Sequence, residues 1–309
     1  MEGLTVGLFG HFEGVGKELG KKGTSTDITF YNYKQGEKVV CYVEPTRYSD
    51  RINPLIYTIN MMDYPLVFID EITGELGETL LALDMFEIDK GFFVLGDYVD
   101  VDMLKNIISQ TSMKNFEILE KNFIDIREKI VNLNVERDYD GNVKIPIDHY
   151  FTVRSVGTVI LGKVESGTVK VHDNLNIYPI NKTVMVRSIQ IHDNDFKEAK
   201  AGNRVGLALK GITTEELDRG YILSDKDLKV TDEIDIRINW NPFRQKDVKE
   251  GENYQIIVGL QSVPCSVEEV SKNNVKLKLQ KNIAYDVGDK VCLIDGSAKV
   301  RIVGVGTLE

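Results

Sequence analysis

The hydrophobic pattern of this chain changes period once, and that change limits what it can fold into. Up to residue 130, short and wholly apolar runs alternate with stretches of helical spacing. Residues 4–9, 39–43, 66–69 and 92–95 are the apolar runs. The last two have the length and uniform hydrophobicity of parallel strands covered on both faces. Between them, Leu76, Leu80, Leu83 and Phe86 stand four, three and three residues apart, one stripe of a helix over 77–88. Helices are also predicted over 102–110 and 114–129. That alternation specifies a doubly wound α/β domain. From Asn142 onward short β-rich segments follow one another with glycine between them. Strands are predicted over 153–161, 168–171, 174–178, 183–191 and 204–209. A further set is predicted over 234–238, 254–258, 262–270, 274–279, 291–294 and 299–305, and Trp240 to Phe243 read as a loop with an aromatic anchor. Such spacing predicts antiparallel barrels. The chain therefore divides into an α/β domain (1–135), a barrel (142–227) and a second barrel (228–309), with one merged β domain as the alternative to two.

Residues 5–18, TVGLFGHFEGVGKE, are an apolar strand running into a glycine-rich loop that ends in Gly16-Lys17. Such a loop belongs to phosphate binding, where backbone N–H groups and a lysine hold the anion. The working motif continues with Ser or Thr to ligate Mg²⁺, then a helix whose N-terminus faces the phosphates. This chain continues with Glu18 and then Leu19-Gly20-Lys21-Lys22-Gly23.

The 309 residues carry 38 Lys and Arg against 48 Asp and Glu, a net charge of −10. A field of that sign opposes DNA and non-specific RNA binding, but leaves room for a local groove that takes one structured RNA. Lys17, Lys21 and Lys22 form the conspicuous basic cluster, either a solvated turn or a polyanion contact. Cys41, Cys265 and Cys292 are isolated and suit a reducing interior. The four histidines predict no zinc site. No apolar run approaches the roughly 20 residues of a membrane helix, and no secretion signal opens the chain. A cytoplasmic monomer without membrane contact is expected.

Residues 146–162, PIDHYFTVRSVGTVILG, with Val186-Arg187-Ser188-Ile189-Gln190, residues 201–207 (AGNRVGL) and Glu216-Leu217-Asp218-Arg219-Gly220, resemble the second domain of translational GTPases of the elongation factor Tu/1A group. Within it the wording is closer to the selenocysteine-specific factor SelB. The resemblance implies a P-loop GTPase-like α/β domain, shortened and degenerate, followed by two antiparallel β-barrels. It also implies a cleft between the first two domains for an aminoacylated tRNA end, and a third domain on which the T stem lies. The selenocysteine factor carries a fourth domain, which is not expected here.

Against the family's nucleotide motifs the first domain departs three times. The phosphate loop, starting at Gly10 and ending at Gly16 and Lys17, is one residue longer and places Glu18 at the Mg²⁺ hydroxyl position. Lys22-Gly23-Thr24-Ser25-Thr26-Asp27 resembles the stretch whose threonine senses the γ-phosphate, so Ser25 holds that position. Four residues separate Lys17 from Lys22, where the family has a helix and its first switch. Glu44-Pro45-Thr46-Arg47 stands for Asp-x-Pro-Gly-His, without the glycine or the water-positioning histidine. Gly96-Asp97-Tyr98-Val99-Asp100 stands for the guanine-reading Asn-Lys-x-Asp, with Asp100 as the retained carboxylate after a one-residue slip. His11 reads as a leftover loop residue rather than a general base. Gly10, Gly16, Lys17, Ser25 and Asp100 are thus a remnant nucleotide site, with no catalytic residue, no metal ligand and no GTP or Mg²⁺ cofactor expected. The function expected is that of an elongation factor-like pseudo-GTPase that binds tRNA or another translation component. An active GTP-dependent tRNA-delivering factor and a protein-binding regulator are the alternatives.

Overall fold

β1 (Glu2–Gly10) runs through the middle of the first domain because Leu4, Val6 and Leu8 feed one apolar layer and Phe9 the other. A computed structural model of the chain describes residues 1–10, 14–48 and 50–309. After β1 come α1 (Val15–Leu19), β2 (Lys21–Ser25), β3 (Thr29–Gln35), β4 (Lys38–Glu44) and α2 (Asn53–Met61). β5 (Tyr64–Ile69), α3 (Gly74–Met85), β6 (Phe92–Leu95), α4 (Val101–Ile108), β7 (Glu117–Leu119) and α5 (Phe123–Val131) complete the domain. One sheet runs in the order β2-β3-β4-β1-β5-β6-β7. From β4 to β7 the neighbours are parallel, while β2, β3 and β4 pair antiparallel. α1 and α5 cover the face of Leu4, Val6 and Leu8; α2, α3 and α4 cover the other.

The helix expected over 114–129 is two elements. Phe116 is buried beside Phe93, ring centroids 5.1 Å apart, and the next three residues pair with β6 as a short edge strand. α5 then starts on its own cap, Asn122, whose side-chain oxygen accepts the Ile124 amide at 3.0 Å. The hydrophobic pattern predicts nothing for β2, β3 or α2. α2 is buried on nearly all sides, so it carries no amphipathic stripe.

Both β regions close. The first barrel joins Lys144–Val153, Gly157–Lys163, Asn174–Tyr178, Lys182–Ile191, Arg204–Lys210 and Ile222–Ser224. The strand expected over 153–161 is interrupted by a hairpin turn at 154–156, with Ser155 at φ 71° and Gly157 at φ 100°, and its remainder lies in Gly157–Lys163. The second barrel joins Lys229–Trp240, Asn253–Val258, Gln261–Ser271, Asn274–Tyr285, Lys290–Ile294 and Ile302–Leu308. The aromatic anchor of its 240–243 loop is Trp240, whose indole N–H donates to the Lys272 carbonyl at 2.6 Å, while Phe243 is exposed.

Buried and half-buried ion pairs join the three bodies. Asp63, between α2 and β5, accepts the Thr5 amide at 2.8 Å, both terminal nitrogens of Arg137 at 2.8 and 2.7 Å, and Lys163 of the first barrel at 2.6 Å. Arg301 of the second barrel reaches Glu78 of α3 through its backbone amide at 2.9 Å and its guanidinium at 2.5 Å. Ile257, Leu260, Cys292 and Ile302 of that barrel continue the core under α2 and α3. Between the barrels, Lys144 meets both carboxylate oxygens of Asp289 at 3.0 Å. No helix among the described residues is long and apolar enough to cross a membrane.

Burial alone would raise the Asp63 carboxyl above its ordinary 3.8, but Lys163 and Arg137 outweigh that effect and hold it below. The folded pKa is thus depressed, so its contribution to stability is full above about pH 5 and lost as pH falls through the folded value. Urea unfolding is expected to show stability falling on acidification below about pH 5. Asp63→Asn is expected to lose about 3–5 kcal/mol at pH 7 and to show a shallower acid decline; an unchanged acid slope would remove Asp63 from this role.

Candidate functional site

Gly10 closes β1 at φ 85°, where a Cβ would lie 1.7 Å from the Phe68 carbonyl oxygen, so only glycine fits. His11, Phe12 and Glu13 lie outside the described residues. Gly14, at φ 82°, opens α1, and Val15 and Leu19 bury that single short helix in the sheet. Gly16 has a different neighbour from the one its motif implies. A Cβ on it would stand 2.1 Å from the ring of Tyr31, which crosses from β3. The Tyr31 hydroxyl donates to Glu44 Oε2 at 2.7 Å. Burial, and then the Glu44 carboxylate, push that hydroxyl's pKa up, so it stays a donor.

The other positions are tied to one another through hydroxyls. Ser25 Oγ lies 2.9 Å from Thr29 Oγ1, which lies 2.5 Å from Thr46 Oγ1. Thr46 donates in turn to the Glu44 carbonyl at 3.3 Å. Lys17 is exposed on α1. Asp100 caps α4, its Oδ1 accepting the Asp102 and Met103 amides at 2.8 and 3.2 Å. Gly16 and Lys17 therefore share one short helix and Ser25 joins the hydroxyl chain behind Glu44, whereas Asp100 stands beyond β6, two strands from β1.

A cleft of about 590 Å³ opens between β2–β3 and the first barrel. Lys21, Lys22 and Asn32 line one wall; Phe151, Val159 and Arg204 line the other. Arg204 lies with its guanidinium carbon 3.8 Å above the Phe30 ring centroid and donates to buried Asp148 at 2.7 Å. Asp148 also meets His149 Nδ1 at 2.6 Å, and the far ring nitrogen lies 2.9 Å from the Thr26 hydroxyl. Arg219 holds Asp27 with two bonds of 2.7 and 2.9 Å. Burial would raise both carboxyls, but Arg204 and His149 hold Asp148 below its ordinary value, and Arg219 does the same for Asp27.

Tyr31, Asp148, Arg204 and Arg219 are absent from the residues chosen by motif. Three of them lie inside the segments 146–162, 201–207 and 216–220, where attention to charge on apolar barrel strands, and in the turn at Arg219, would have found them. Tyr31 had no signal, since a tyrosine alternating in a strand reads as ordinary packing. Tyr31→Phe removes the donor and leaves Glu44 unpaired over Gly16. It is expected to lower the urea-unfolding free energy by about 1–3 kcal/mol, and no change would show that the hydrogen bond is idle.

Comparison with known proteins matches residues 157–224 to the family "Elongation factor Tu domain 2" and residues 237–308 to "Initiation factor eIF2 gamma, C terminal". The second match supplies for the last barrel the family signature that its own residues do not announce. The chain is 83% identical to an uncharacterized protein of Methanocaldococcus jannaschii, over the full length of both. It is 28% identical to the selenocysteine-specific elongation factor of the same organism, covering 99% of this chain and 79% of that one. Its fold is similar to that of SelB from Methanococcus maripaludis, solved with the GTP analogue GppNHp. That similarity has a TM-score of 0.86 at 26% identity, over 100% of this chain and 79% of the other.

Proposed function

The chain belongs to the elongation factor Tu/SelB-like family of translation factors, and we propose that within it this protein is a pseudo-GTPase that binds a tRNA end without hydrolysing GTP. The observation that carries this reading is Tyr31, seated against Gly16 and hydrogen-bonded to Glu44. Phosphate binding needs a glycine whose backbone an anion can approach. Here an aromatic ring packs against that glycine's Cα, and the carboxylate at the family's metal-serving position already accepts a protein donor. Glu18 adds a negative charge beside any triphosphate, at the place where a hydroxyl would ligate Mg²⁺. Ser25, at the γ-phosphate-sensing position, bonds Thr29 instead. These residues do not fit Mg²⁺-GTP.

The cleft supports the binding half of the reading. In a chain of net charge −10, one wall carries Lys21 and Lys22 and faces Phe151, Val159 and Arg204 on the other. Cations for phosphates and an aromatic face for a base are what a single-stranded RNA end requires. Asp63 and Asp27 tie the first domain to the barrel through Lys163 and Arg219, and Asp148 holds Arg204 and His149 where they meet Phe30 and Thr26.

Titration calorimetry with GTP and Mg²⁺ is expected to give no binding tighter than about 1 mM; micromolar affinity would defeat the pseudo-GTPase reading. Aminoacylated tRNA is expected to bind with strong salt dependence. Reversing Lys21 and Lys22 to Glu should weaken it by about tenfold or more, and an unchanged affinity would move the RNA out of this cleft.

A further inference from the structure

We propose that the exposed apolar face of α4 and the turn before it is a docking surface for a lysine- and arginine-rich polypeptide segment. α4 has five apolar side chains in eight residues, yet only Leu104 and Ile108 are buried. Met103 and Ile107, one turn apart, are 49% and 42% exposed, and Val101 is 39% exposed. Ahead of the helix Tyr98 is 99% exposed. Its turn is fixed. The Val99 amide bonds the Gly96 carbonyl at 3.2 Å, Gly96 lies so near Asp70 that a Cβ would sit 2.2 Å from its carboxylate, and Asp100 caps the helix. A large amphipathic ring held out on a fixed turn loses little entropy on binding, which is how tyrosines come to dominate interfaces.

Charge names the occupant. Residues 52–104 contain eleven Asp and Glu and a single basic residue, Lys90. The remainder of the chain holds 37 of each sign, so the whole net charge of −10 resides in this segment. Asp63, Glu78 and Glu87 are spent on Lys163, Arg301 and Lys290. Asp70, Glu71, Asp97 and Asp102, at the strand ends and turn around Tyr98, are exposed and form no ion pair among the described residues. An acidic rim about an apolar centre steers and orients a cationic chain and repels RNA. The partner segment therefore carries Lys or Arg for the rim and aliphatic side chains for Met103 and Ile107. This surface stands apart from the cleft, and the proposal holds whether or not RNA binds there.

The test uses the full chain and a fluorescein-labelled 16-residue peptide of repeating Lys-Leu-Lys-Lys, followed by anisotropy at low and moderate salt. Tyr98→Ala, which changes no charge, is expected to weaken binding about tenfold. Asp97→Lys with Asp102→Lys should weaken it by more, chiefly at low salt. Glu75→Lys with Asp89→Lys, the same charge change away from the turn, should leave affinity within twofold. Melting temperatures confirm that the variants fold. Equal affinity for Tyr98→Ala and the parent, or equal loss in both double variants, would reduce the effect to general charge and overturn the proposal. So would cross-linking to RNA rather than to the peptide from a photoreactive residue at position 98, with both offered together.

Discussion

Asp63 is the residue on which the arrangement of the molecule turns. Its side chain is nearly out of water, and a carboxylate there is tolerable only with full compensation. Compensation comes from three parts of the chain at once: the backbone of β1 at Thr5, Arg137 in the connection between domains, and Lys163 of the first barrel. Arg137 also donates to the Gly3 carbonyl at 3.0 Å, and Gly3 lies so close to Gly202 that a Cβ would approach its carbonyl oxygen to 2.1 Å. Turning the first domain on the barrel would uncover the carboxylate and separate two glycine backbones in contact. The second barrel is fixed by the same logic at Glu78 and Arg301, with shared apolar core in addition. A cleft between two bodies has a defined shape only when such contacts set the angle between them.

The first domain of a nucleotide switch is usually organised by its ligand, because loop, switch and metal ligand are separate segments that meet on phosphate. Here the corresponding segments meet on one another. Gly16 meets Tyr31, Tyr31 meets Glu44, and Ser25, Thr29 and Thr46 run behind it as a line of hydroxyls. The same stretch is tied outward, since the Arg47 amide bonds the Asp27 carbonyl and Asp27 bonds Arg219 of the barrel. Short polar side chains thus supply contacts that a bound anion could otherwise supply. In the proposed reading, that internal bonding is why the domain keeps its shape without a nucleotide.

What the sequence made legible follows from which interactions are local. Residues 66–69 and 92–95 read as covered parallel strands because burial on both faces leaves nothing polar in them, and β5 and β6 lie there. The first barrel region was legible from a long run of matching residues. α2 was not, because a helix buried on nearly all sides has no stripe to detect. The break at 116–123 was not, because Ile118, Leu119 and Ile124 continue a helical spacing across a strand and a cap. At the site, Gly10, Gly16 and Ser25 were found by motif, but their surroundings were not. The ring against Gly16 comes from a residue fifteen positions later, through pairing of β3 with β4 that no local pattern encodes. Asp148, Arg204 and Arg219 were visible as letters and silent as a cluster until the barrel closed.

In the proposed reading, the distribution of charge gives a first domain with altered nucleotide motifs a role of its own. It contributes to opposite ends of the electrostatics: Lys21 and Lys22 on β2 beside the cleft, and the acid-rich span from α2 to α4 on the far side of β1. Because β2 is the sheet's edge next to the barrel and α4 lies beyond β6, the sheet separates the two regions by several strand widths of about 4.8 Å each. That exceeds the screening length of about 8 Å at physiological salt, so the acidic end does not cancel the basic wall. Strip the domain away and the barrel keeps Phe151, Val159 and Arg204 but loses the ring of Phe30 beneath that arginine, along with every lysine facing it. In the proposed reading, the sheet is a spacer that keeps two charged surfaces apart and one wall of a cleft in place, a role that requires its core and its ion pairs but none of the family's phosphate chemistry.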